Sequence, residues 1–69
     1  MDRQTLLLEF LQKPNAASLN DVVEELEDWP EAARLQKLAA RAVFVEDDRL
    51  QSILDEAVRE ARRLLEAEE

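Results

Sequence analysis

Glycine, cysteine, histidine and tyrosine are all absent from this 69-residue chain. Each absence removes a class of chemistry. Without cysteine there is no disulfide framework, no zinc–thiolate site and no thiol nucleophile. Without histidine, the commonest general base near neutral pH and the commonest metal ligand are missing. Without glycine, no phosphate-cradling loop of the P-loop or dinucleotide-binding kind can form. Long apolar runs are lacking too: Leu6-Leu7-Leu8 and Ala42-Val43-Phe44-Val45 are the longest, far short of the roughly 20 residues of a membrane span. The opening Met-Asp-Arg-Gln-Thr has neither the basic stretch nor the small-residue cleavage site of a secretory signal, so the expectation is a soluble, cytoplasmic protein with no membrane role.

What remains is a helical composition. Hydrophobic residues make up 46% of the chain and charged residues 38%, with 17 acids against 9 bases, a formal net charge of −8 and a pI near 4.4. That balance is too apolar for simple disorder. A chain of this length is expected to form one helical domain over residues 1–69, close to the smallest size at which a single core is self-sufficient.

Proline and small polar residues divide the chain into four amphipathic segments. The first, from about Asp2 to Lys13, places Leu6, Leu7, Phe10 and Leu11 on one face and ends at Pro14, with Leu8 off that face. Pro14-Asn15 reads as a turn, and Asn15 is the candidate for any left-handed position. The second segment is expected to begin at Ser18, with Ser18 and Asp21 resembling a capping box. Leu19, Val22, Val23 and Leu26 repeat there at the helical period. The third, about Pro30 to Phe44, starts at Asp28-Trp29-Pro30, where proline suits a first turn, and buries Leu35, Leu38, Ala39 and Ala42. Val43-Phe44-Val45 suggests a short extended link, and Glu46-Asp47-Asp48 an acidic N-terminus for the last helix. From Arg49 to about Ala67, Leu50, Leu54, Ala57, Ala61 and Leu64 form a coiled-coil-like stripe flanked by Ile53, Val58 and Leu65. Asp55 with Arg59 and Arg62 with Glu66 form i,i+4 pairs on the outer face. The fold class is therefore all-α: a small bundle of three to four helices with a longer C-terminal helix.

Catalysis finds no foothold. The hydroxyls of Thr5, Ser18 and Ser52 have no histidine to activate them, and the many carboxylates need a cleft that four short helices scarcely provide. No enzyme activity, metal or cofactor is expected. Glu46-Asp47-Asp48 lacks the glycine and ligand spacing of a calcium loop.

Charge is unevenly spread. Residues 1–28 carry seven acids and two bases, net −5; residues 29–45 carry one acid and three bases, net +2; residues 46–69 carry nine acids and four bases, net −5. The positive segment lines up Arg34, Lys37 and Arg41 at i, i+3 and i+7, and a helix-turn-helix-like DNA-binding regulator using them is one alternative. Three bases release few counterions and the −8 repels a duplex, so nucleic acid is the less favoured partner. A second alternative is an engineered helical domain without natural function.

Protein binding is better supported. Leu8 has no place on its helix's apolar face. Trp29 and Phe44 stand at helix boundaries, and the Ala61-Leu64-Leu65 end of the long helix is expected to overhang its neighbours. Leu8, Trp29, Phe44, Leu64 and Leu65 are thus the expected contact residues of a non-enzymatic interaction module, with a protein partner or a second copy as a homodimer. Leu50-x-x-Ile53-x-Asp55-Glu56 resembles part of the motif by which death-regulating helices dock into a hydrophobic groove. That family needs a small residue where this chain has Leu54 and a large apolar one where it has Ala57. The resemblance therefore stops at seven residues and assigns no family.

Overall fold

The computed structural model describes residues 2–68, and the chain is 85% helical with no strand among those residues. Four α-helices follow in order: α1 (Arg3–Gln12), α2 (Ala16–Glu25), α3 (Ala33–Phe44) and α4 (Asp47–Glu68). A 3₁₀ turn, Pro30–Ala32, leads into α3. Each helix packs on the next in the chain, and α4 also packs on α1, which closes the four into a ring. The radius of gyration is 10.9 Å, against about 11 Å expected for a compact chain of this length. The longest dimension, 34 Å, is that of α4 itself at about 1.5 Å per residue.

The helix starts follow from side chains that compete for the free backbone N–H groups of a first turn. The Asp2 carboxylate accepts from the Thr5 N–H at 2.8 Å and opens α1. That hydrogen bond holds the Asp2 carboxyl below its usual pKa. Asn15 opens α2: its Oδ1 accepts from the Ser18 N–H at 2.9 Å, and its carbonyl accepts from the Leu19 N–H. Helix α2 therefore begins three residues earlier than a Ser18 cap would allow, and Ser18 lies within its first turn as a donor. Asn15 is extended (φ −139°, ψ 172°), and no described residue has positive φ. The left-handed position expected at Asn15 is not needed, because Pro14 and an extended Asn15 turn the corner between them.

The α2–α3 corner is built around one carbonyl. The Leu26 C=O, left without an intrahelical donor at the end of α2, accepts from the Trp29 N–H at 3.0 Å and from Gln36 Nε2 at 3.0 Å. Pro30 then sits at the first position of the 3₁₀ turn, where its missing N–H costs nothing. At the next corner Val43 and Phe44 remain helical, and Val45 alone is extended (φ −99°, ψ 158°). Of the extended link expected over residues 43–45 only Val45 is extended, and Val45 with Glu46 joins the two helices. The Glu46 carbonyl accepts from the Arg49 and Leu50 N–H groups to start α4.

One core serves all four helices. Leu7, Phe10, Leu19, Leu35 and Leu64 are fully buried, with Leu6, Val22, Leu26, Leu38, Ile53 and Leu54 around them. Buried alanines (Ala32, Ala39, Ala57 and Ala61) let the helices approach closely. The long helix does not overhang: Ala61 and Leu64 are inside because α1 returns against α4 alongside α3. No helix among the described residues is long and apolar enough to cross a membrane.

The cap assignment separates Asn15 from Ser18. Asn15→Ala is expected to lower the unfolding free energy by about 1 kcal/mol. Ser18→Ala should leave it within about 0.5 kcal/mol. Urea melts of both variants followed by circular dichroism check this.

Candidate interaction surface

Helix α3 has two faces set by its period. Leu35, Leu38 and Ala39 turn inward, while Arg34, Lys37 and Arg41 are exposed along the flank of the helix beside α4. Phe44 continues that same line one turn further, at i+10 from Arg34. On α4 the facing line is Arg49, Ser52, Glu56, Arg59 and Arg63, all exposed. Between the two helices runs a groove of about 800 Å³, walled by Arg34, Lys37 and Arg41 on one side and Glu56, Arg59, Glu60 and Arg63 on the other. Five of the chain's nine bases meet there against two of its 17 acids.

Glu60 is the one buried charged residue among those described, 6% exposed. Its carboxylate is held bidentately by Arg63: Nε donates to Oε1 at 2.9 Å and an Nη donates to Oε2 at 2.6 Å. The Arg63 hydrogen bonds, with the charges of Arg63 and Arg34 adding to them, hold the Glu60 carboxyl below its usual range against the opposing effect of burial. This i,i+3 pair, and a hydrogen bond from Gln51 Nε2 to the Asp55 carboxylate at 3.0 Å, are the side-chain links recorded within α4. Asp55 thus takes its partner from the preceding turn, not from Arg59.

The groove opens at its Phe44 end into an apolar corner of about 630 Å³, walled by Phe44, Val45 and Ile53 with Arg41, Asp48 and Arg49 at the rim. Phe44 is 88% exposed and Val43 65% exposed. Both lie in the last turn of α3, on the side turned away from Ala42, which packs against the core. A third depression, about 520 Å³ between α1 and α2, is acidic, with Glu9, Asp21, Glu24 and Glu25 along it. In the ring of helices the α1–α2 and α3–α4 pairs stand opposite one another. Among the described residues no group of three or more acids is placed to hold a metal ion.

The expected contact residues divide. Phe44 is exposed at the corner, and Leu8, 51% exposed, stands alone on α1, where Leu6 and Leu7 are buried. Trp29 and Leu64 are core residues, 5% and 1% exposed, and offer no surface to a partner. Trp29 turns inward from its extended position before Pro30, and the Arg3 guanidinium covers its ring 4.5 Å from the centroid. Leu65 is half-buried against the core. Reading helices singly could not show that Arg59 and Arg63 complete the basic line of α3. Their spacing from Arg49 on one face of α4 was the available signal. Comparison with protein-family models, with curated proteins and with solved structures finds no match.

A carboxyl whose pKa is lowered by folding contributes stability above its unfolded pKa, and that contribution disappears as pH falls through the folded value. Glu60→Gln is therefore expected to be less stable than the parent at pH 7 and to lose less stability on acidification below about pH 5. Urea midpoints at neutral and acid pH test this; equal acid sensitivity in the two proteins would show that Glu60 carries no such coupling.

Proposed function

We propose that this chain is a non-enzymatic helical interaction module that self-associates through the α3–α4 corner. The observation that carries the reading is the exposure of Phe44 at a depression walled by Val45 and Ile53, with Val43 exposed next to it in the chain. Scattered single apolar residues on a surface are ordinary, whereas adjacent large ones over an apolar depression mark a contact site. A twofold arrangement would set each Phe44 in the other copy's corner. The rim favours this, because Arg41 and Arg49 of one copy can face Asp48 of the other. Leu8 has no exposed large apolar neighbour on α1 and needs no partner to explain it.

Size sets the strength. Phe44 buries about 200 Å² when covered. With Val43 and the rim the contact stays below the roughly 1,200 Å² of a stable interface. A weak dimer follows, opposed by repulsion between two chains of −8. Raising salt screens that repulsion and should strengthen the dimer.

Sedimentation from about ten micromolar to about one millimolar, at low and at physiological salt, tests the reading. Concentration-dependent association that Phe44→Ser abolishes and Leu8→Glu leaves intact is the expected result. A protein that stays monomeric at the highest concentration in both salts overturns it.

A further inference from the structure

The basic groove adjoins the apolar corner at Arg41 and extends away from it along α3 and α4, and its charge is opposite to that of the molecule. Arg34, Lys37, Arg41, Arg59 and Arg63 outweigh Glu56 and Glu60 there, net +3, which leaves the remainder of the chain at −11. With Glu60 and Arg63 paired to each other, four cations and one acid face outward along the groove. We propose that this groove binds a short acidic segment of a partner protein, its carboxylates set against the arginines and lysine of the two helices.

Three observations select a short acidic segment. The first is length. Arg34 to Arg41 covers about 10 Å of α3 at 1.5 Å per residue, two turns of a docked helix, and α4 lines the other side over a comparable distance. The second is screening. At physiological salt the Debye length is about 8 Å, so a segment lying within the groove is attracted by the local +3 while the distant acids are largely damped. A duplex extends past the groove and meets those acids directly. The third is the composition of the wall. Glu56 stands between the cations. A peptide can place a neutral residue opposite it, but a duplex carries one negative charge per about 1.7 Å of axis and cannot. The chain's own acidic helix, α2, is packed against α1 and α3 and contributes no residue to the groove wall.

The probe is an alanine-based, fluorescein-labelled helical peptide of about 12 residues, long enough to span α3, with glutamates at i, i+3, i+4 and i+7. A matching peptide carries glutamine in their place, and a DNA duplex is compared at equal salt. The expected result is saturable binding of the glutamate peptide at physiological salt, where the distant acids are screened, and its loss near about 1 M salt, where the groove's own charges are screened as well. The glutamine peptide should not bind, and the duplex should bind more weakly. Lys37→Glu/Arg59→Glu should reduce peptide affinity about tenfold or more. Arg62→Glu together with Lys13→Glu, which makes the same change in net charge at exposed positions outside the groove wall, should leave it within about twofold of the parent. Lys37→Gln/Arg59→Gln gives the same comparison should the reversals fail to fold. Phe44→Ser should bind the peptide like the parent, so failure of the dimer leaves this test intact. No binding at physiological salt, equal binding of the glutamine peptide, equal losses in both double variants, or tighter binding of the duplex would each overturn the proposal. Association of the Phe44→Ser protein with itself at low salt would assign the groove to α2 of a second copy, and would overturn it too.

Discussion

This chain has no glycine and turns every described corner with negative φ, and the architecture follows from how it does so. Helices commonly stop at a left-handed residue, for which glycine carries no steric penalty. Here no described residue adopts that conformation. Each corner instead pairs an extended residue with a group that satisfies a free backbone end. Pro14 and extended Asn15 join α1 to α2, the Leu26 carbonyl holds Trp29 and Gln36 between α2 and α3, and extended Val45 precedes the Glu46 carbonyl at the start of α4. Links this short keep chain neighbours in contact, so the four helices form a ring in chain order.

The same constraint shapes the surface. Because the break falls at Val45, α3 stays helical through Phe44, and its last turn packs Ala42 on the core while Val43 and Phe44 meet solvent. The short link also returns α4 directly along α3, which brings Arg59 and Arg63 beside Arg34, Lys37 and Arg41. The apolar corner and the basic groove are therefore two results of one turn. The ring separates them from the acidic α1–α2 side, and the net charge of −8 conceals a polarised molecule.

Much of the fold was legible in the helical period. Leu6, Leu7 and Phe10, then Leu19, Val22 and Leu26, then Leu35, Leu38 and Ala39, and the stripe from Leu54 to Leu64 are all buried as their spacing implied. The misjudged details were local competitions. Asn15 and Ser18 both cap helices well, and the choice depends on which one Pro14 leaves extended. The surface was less legible. Trp29 and Leu64 looked like contact residues because boundary and end positions in a linear sequence look exposed. Whether they are depends on another helix crossing over them.

The residues alone determined the helical class, the four segments and their inward faces, because apolar spacing and proline act over a few residues. They also determined that one line of α3 is basic. Only the tertiary structure decided that Trp29 is covered, that Ala61 and Leu64 of α4 are covered, and that five cations from two helices share a groove. Those outcomes depend on how whole helices pack, and burial and the joint field of distant charges are properties of that packing rather than of any local stretch of chain.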